Sequence, residues 1–233
     1  MAIGSAHGQV ALDRPMRPIP LPVPATALLA EGFDFPVGRG EARGYYKARG
    51  FSLGNHPAED WDGVGGGDSD FNDPVQSIGD GTVIYARDAH SGWGNVVIVR
   101  HQFRDRGALQ TVDALFGHLN TMLVQSGQRV TRGQKIGTIG TAHGRYPAHL
   151  HFEIRKNLDI GINRAAYPQN FSCYYDPTKF IASHRGHGAR PEPAGGLFAY
   201  DRTLRLPPPE KLASRRKESG RLLPAEPSTP LVY

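Results

Sequence analysis

His149 and His151 stand one residue apart in the run Ala148-His149-Leu150-His151-Phe152, which continues through Glu153 and Ile154. On a β-strand, successive side chains leave opposite faces. His149, His151 and Glu153 would share one face, with Leu150, Phe152 and Ile154 forming an apolar wall on the other. The two imidazoles then sit about 7 Å apart, two residues' rise along a strand. Such a strand can place one imidazole on a metal ion and leave its neighbour free to move protons. The chain has one cysteine, Cys173, so neither an internal disulfide nor a cysteine-rich metal site can be built. Any metal must be held by the ten histidines and the carboxylates. A hydrolytic zinc site takes three such ligands and leaves a fourth position for water. His56 and Asp60, four residues apart, fall on one side of an extended segment, and His151 supplies a third ligand from the strand.

The neighbours of these residues carry weaker signals. Asp62 is an alternative carboxylate, although Asp60 has the better spacing. Glu153 is placed to orient an imidazole from behind. Asp68, Asp70 and Asp73 beside the glycine run at 65–67 hint at a calcium loop, but without a repeat they read as a flexible rim. His90, His101 and His143 are expected on the surface. Trp61 and Trp93 suit either the core or a cleft wall.

The elements that must position these groups read as short strands separated by turns. Residues 56–70 are so rich in glycine and aspartate that the whole stretch reads as a loop. Gly81 to Ala86, Asn95 to Arg100 and Val112 to Leu119 are β-rich runs, the last ending on His118. Glycines at turn spacing mark hairpins over 126–140, and a polar loop from Thr141 leads the chain to His149. The aromatic residues between 164 and 183 can close a core around Asp176-Pro177-Thr178-Lys179. Close-set strands with few helical stretches argue for an all-β sandwich or open barrel.

Four segments together resemble the lysostaphin/LytM-type zinc metallopeptidases. They are His56-Pro57-Ala58-Glu59-Asp60-Trp61, the stretch from Asp73 to Ala86, Phe116-Gly117-His118-Leu119, and His149-Leu150-His151-Phe152-Glu153; Gly127 to Gly140 matches the connecting hairpins. The resemblance covers about Phe33 to Ile181. It implies an all-β fold, an antiparallel β-sandwich of the duplicated-hybrid-motif kind. It implies one Zn²⁺ bound by His56, Asp60 and His151, with His118 and His149 as catalytic residues of the cleft, and leaves open which of the two is the general base. Ala58 replaces a usual glycine and Phe116 a usual tyrosine. The implied activity is a zinc endopeptidase acting on peptidoglycan stems or cross-links. The alternative is a non-catalytic wall-binding or amidase-activating module of the same fold. A lipoyl- or biotinyl-type carrier would explain the hairpins but leave the histidines without a purpose.

Composition divides the chain in three. Residues 1–30 form a Pro-rich arm, 31–183 the metallopeptidase domain, and 184–233 a basic Pro-rich tail expected to be disordered, with a short helix over 210–219. The tail holds nine Lys and Arg against five Asp and Glu, which accounts for most of the formal charge of +5. That charge alone is a weak argument for nucleic acid, and none is expected as a partner. The apolar stretch at 25–30 is too short to span a membrane, and prolines interrupt any export-signal core. A monomer outside the cytoplasm is expected from the implied substrate.

Overall fold

The computed structural model describes residues 28–38, 40–156, 158 and 170–186. All of them fall in the first of the two units into which the chain divides, and the second, Pro191–Tyr233, lies outside them. The Pro-rich arm up to residue 27, most of the basic tail and the helix expected over 210–219 are therefore outside the described residues.

Twelve strands and one short helix are described. In chain order the strands are β1 (Leu29–Ala30), β2 (Tyr45–Arg49), β3 (Glu59–Gly63), β4 (Pro74–Gln76), β5 (Gly81–Asp88), β6 (Asn95–Asp105), β7 (Ala108–Leu119), β8 (Thr121–Met122), β9 (Arg129–Val130), β10 (Lys135–Thr138), β11 (Leu150–Arg155) and β12 (Tyr174–Tyr175). The helix is α1 (Pro177–Ser183). The larger sheet runs β2-β3-β11-β7-β6-β5-β9, with β1 beside β6 and β12 beside β11. A second sheet has the order β4-β10-β8. Only the β1–β6 pair is parallel; the other described strand pairs are antiparallel. The expected all-β antiparallel class is thus the observed one.

The central strand is β11, paired with β7 on one side and β3 on the other. Its alternation follows from the sequence. Leu150, Phe152 and Ile154 enter the main hydrophobic core, where Phe152 stacks on Phe116 at 5.4 Å between ring centroids. The opposite face carries a smaller apolar cluster of Ile84, Val96, Ile98 and Leu115, together with the polar side chains described below. Leu115 lies directly opposite Glu153 in the β7–β11 register.

Two expectations fail here. Glu59–Gly63 is a strand, although its sequence Glu-Asp-Trp-Asp-Gly looks like loop. The strand survives because its inward carboxylate is satisfied: Glu59 is buried and accepts from the Thr178 hydroxyl at 2.8 and 2.9 Å and from Trp61 Nε1 at 3.2 Å. His101, expected on the surface, is fully buried; its ring Nδ1 donates to the Asp80 carbonyl at 2.9 Å, and burial pushes its pKa down to about 4. The closing aromatic segment contains α1, whose start is written in sequence: Asp176 caps the N–H of Lys179, and Pro177 takes the first turn.

Candidate metal centre

Three side chains converge at the junction of β3 and β11. Asp60 sits opposite His151 in the strand register, and His56 reaches them from just before β3. A bend at residues 57–58 brings His56 onto Asp60, so strand alternation is not what pairs them. His56 Nε2 lies 3.3 Å from both Asp60 Oδ1 and His151 Nδ1, and His151 Nδ1 lies 3.0 Å from Asp60 Oδ1. Tetrahedral ligands on bonds of about 2.0–2.1 Å are separated by about 3.3–3.4 Å. The three donor atoms therefore already have nearly the spacing that one small divalent ion requires. They are the only such His, Cys, Asp or Glu group found among the described residues.

Asp62, the alternative carboxylate, is not part of this group. It lies on the same face of β3 as Asp60 but two residues further along, where its carboxylate accepts from Tyr46 Oη at 3.3 Å. The calcium-loop carboxylates are also dispersed: Asp68 accepts from Ala148 N at 2.7 Å, Asp70 from Gly63 N at 3.2 Å, and Asp73 from Tyr45 Oη at 2.5 Å. The Asp68 contact has a local use, since it ties the glycine loop to the residue before His149.

The electrostatics favour a cation. Burial opposes ionisation of Asp60, but hydrogen bonds with His151 and His56 outweigh it and hold the carboxyl far below its usual range. Burial also lowers the His151 pKa, yet the Asp60 and Glu153 carboxylates reverse this and raise it to about 9. Without a metal, a proton occupies the place between His151 and its two carboxylates. His151 is held from both sides, because its Nε2 lies 2.9 Å from Glu153 Oε1. The orienting position read for Glu153 from the strand is therefore occupied. His56 Nδ1 is buried and has no hydrogen-bond partner among the described residues.

His118 and His149 stand beside this group, with ring centroids 4.8 Å apart; His118 is 5.2 Å from the His151 ring. Each has its Nδ1 on a carbonyl: His118 on Trp93 O at 3.1 Å, His149 on Pro147 O at 2.8 Å. A carbonyl only accepts, so each Nδ1 must carry the proton. In the neutral ring, Nε2 is then left as an acceptor. His149 Nε2 is 3.9 Å from Asp60 Oδ1. Burial, and then the neighbouring His151 and His149 rings, lower the His118 pKa to about 3, so this imidazole stays neutral near pH 7.

The backbone is bent to achieve this. His118 lies in the left-handed region at φ 61°, a conformation costing about 1–3 kcal/mol for a side-chain-bearing residue. Its carbonyl packs against Gly140, where a Cβ would come within 2.5 Å. Only glycine fits there. Of the two positions left open for Trp93, the structure shows it beside the site, its ring 5.3 Å from His151; sequence reading missed Tyr146, which lies 5.1 Å from His118. The prolonged polar loop before His149 was the available signal for Tyr146. Trp61 belongs to the core. His90 and His143 are on the surface, both against Asp88 Oδ2 at 3.1 Å. Among the described residues, no helix is long and apolar enough to cross a membrane.

Comparison with known proteins bears on this geometry. Residues 63–163 match Peptidase family M23, a stretch holding His118, His149 and His151 but beginning after His56 and Asp60. The murein hydrolase activator NlpD of Escherichia coli (strain K12) is 42% identical over 81 residues, 35% of this chain and 19% of that protein. Lipoprotein NlpD of Yersinia enterocolitica is 38% identical over 82 residues, covering 35% of this chain and 76% of that sequence. The peptidoglycan DD-endopeptidase ShyA of Vibrio cholerae serotype O1 is 37% identical over 81 residues, 35% of this chain and 17% of that protein. The chain thus spans 19% of the length of the curated activators it matches. Among solved structures, the catalytic domain of lysostaphin from Staphylococcus simulans superposes with a TM-score of 0.44 at 24% identity, covering 59% of this chain and 92% of that one. The sequence matches, and above all the coverage of the Yersinia relative, lead to one conclusion: this chain belongs to Peptidase family M23.

Proposed function

We propose that the chain is a zinc-dependent endopeptidase that hydrolyses peptide bonds in peptidoglycan stems or cross-links, acting as a monomer outside the cytoplasm. The observation that carries this reading is the convergence of His56, Asp60 and His151 at metal-ligand spacing beside two imidazoles with free Nε2 atoms. The working domain is residues 31–183. His56 Nε2, Asp60 Oδ1 and His151 Nδ1 would hold the ion. When bound there, zinc would supply a Lewis acid that polarises the scissile carbonyl and acidifies a water.

The chain's own residues supply the proton handling. His149 takes a proton from the attacking water at Nε2 and later returns it to the leaving amine. Its side chain is more exposed than that of the buried His118, which suits a group that must exchange protons with solvent. His118 accepts a hydrogen bond from the same water at Nε2 and fixes its direction. A neutral His118 has already committed its only N–H to Trp93 O, so it is a poor oxyanion donor. The Trp93 and Tyr146 rings narrow access to the site.

The similarity to murein hydrolase activators carries a second reading, a non-catalytic module that binds the wall or activates an amidase. Zinc content and turnover separate the two. The purified chain should hold one zinc, lost in His151→Ala, and should cleave peptidoglycan peptides only when loaded. Wild-type turnover retained in both His118→Ala and His149→Ala would overturn the assigned roles.

A further inference from the structure

Behind His151 a line of charged side chains crosses three strands, buried except at its Arg100 end. Glu153 and Arg155 follow His151 at alternate positions on one face of β11. Arg155 Nε donates to Glu153 Oε2 at 2.6 Å, while Glu153 Oε1 faces His151 Nε2. Directly opposite Arg155 on β7 is Asp113, and directly opposite Asp113 on β6 is Arg100. Arg100 grips Asp113 with two parallel hydrogen bonds, both 2.8 Å. Tyr174 lies opposite Arg155 on the other side, on β12. The signs alternate along the line: Glu153 negative, Arg155 positive, Asp113 negative, Arg100 positive. Glu153, Arg155 and Asp113 are 0%, 2% and 3% exposed.

Burying three charges is not how a sheet gains stability. Well-packed apolar residues of similar volume usually serve as well or better. The same face accepts apolar packing next door, at Ile98 and Leu115. The buried end of the line is a metal-ligand candidate, His151. A histidine ligand is oriented through its other ring nitrogen, and the group behind it sets how firmly the ligand atom is aimed.

We propose that Arg155, backed by Asp113 and Arg100, is a positioning residue for the metal centre. It fixes the Glu153 carboxylate so that His151 donates Nε2–H to it and presents Nδ1 to Asp60 and His56. The inference rests on the metal-centre reading above and extends it two side chains beyond the ligands. Arg155 touches neither metal nor substrate in this account, and its effect passes wholly through Glu153.

The test compares zinc dissociation constants, measured by chelator competition on the full chain, for wild type, Arg155→Met, Arg155→Lys and Asp113→Asn. Arg155→Met should weaken zinc binding roughly ten- to a hundredfold, the range found when such outer partners are removed. Arg155→Lys, which keeps the charge, should recover most of the loss. Asp113→Asn should shift the constant in the same direction by a smaller factor. A folded Arg155→Met protein that binds zinc within twofold of wild type would overturn the proposal. If Arg155→Met does not fold, Asp113→Asn carries the test, and an unchanged constant there overturns it. A metal-independent readout separates this inference from the function reading. The metal-free wild type should show an exchange-protected, downfield imidazole N–H resonance from His151 that is lost in Glu153→Gln and weakened in Asp113→Asn. That pattern in a protein that binds no zinc would sink the peptidase reading and leave the positioning line standing. Its absence from the wild type would sink the positioning line.

Discussion

The two faces of β11 are equally hidden from water and chemically opposite. Leu150, Phe152 and Ile154 are fully buried in an apolar core, while His151, Glu153 and Arg155 are almost as buried and largely ionic. The apolar face gains stability from every group removed from water. The ionic face gains little, and holds only because each charge meets a partner at hydrogen-bond distance. One face folds the protein and the other, on the proposed function, aims a ligand. Substitution on the two faces should therefore fail in different assays.

The largest contrast comes from neighbouring residues. His151→Ala should abolish zinc binding and turnover while the protein still melts cooperatively, as read by metal analysis and calorimetry. Phe152→Ala should cost about 3–5 kcal/mol of unfolding free energy, yet leave the zinc affinity of the folded fraction close to wild type. If Phe152→Ala loses zinc as completely as His151→Ala, the two faces are not separable. Next in size, His149→Ala should lower turnover by roughly 10²–10⁴, the usual worth of a general base, with zinc content unchanged. His118→Ala should cost less, because in this account it orients the water and does not take its proton.

A smaller effect sharpens the role of pairing. Glu153 and Asp70 are both completely buried carboxylates. Burial works against ionisation of Glu153, but Arg155 and His151 bring its pKa down to about 2. Asp70 has one oxygen on Gly63 N and the other without a partner, and burial raises its pKa to about 6. A raised carboxylate pKa means the folded state binds the proton more tightly. Ionised Asp70 therefore opposes folding above about pH 6, and the penalty fades as pH falls towards the unfolded value near 4. Asp70→Asn should raise Tm by a few degrees at pH 8 and by little at pH 4. An equal gain at both pH values would show that the charge is not the cause. Glu153 has the opposite sign: its pairing stabilises above about pH 4.5 and is lost only as pH falls towards 2.

How much of this was legible in sequence follows the range of each interaction. The His149–His151–Glu153 face was readable because strand alternation is a local rule, and the apolar wall of Leu150, Phe152 and Ile154 came with it. His56 and Asp60 do lie side by side, but for a reason the spacing did not supply: a bend before β3 joins them, not an extended run. β3 was read as loop because its carboxylates look solvent-bound until Thr178, distant in sequence, is seen to satisfy Glu59. The cap and proline that start α1 were present as a local signal and were not taken as a helix. The line from Arg155 to Asp113 and Arg100 was invisible, since it depends on the register of three strands. His101 was misplaced for a similar reason: only tertiary packing reveals that the Asp80 carbonyl satisfies its Nδ1 inside the core.

The most direct test of the central claim is digestion of purified peptidoglycan by the zinc-loaded full chain, with the released fragments weighed by mass spectrometry. The account predicts fragments carrying one new amino terminus and one new carboxyl per cut, absent when the metal is removed and absent in His149→Ala. Peptide bonds left intact by the loaded chain, with wall breakdown only when an amidase is added, would contradict it and favour the activator reading.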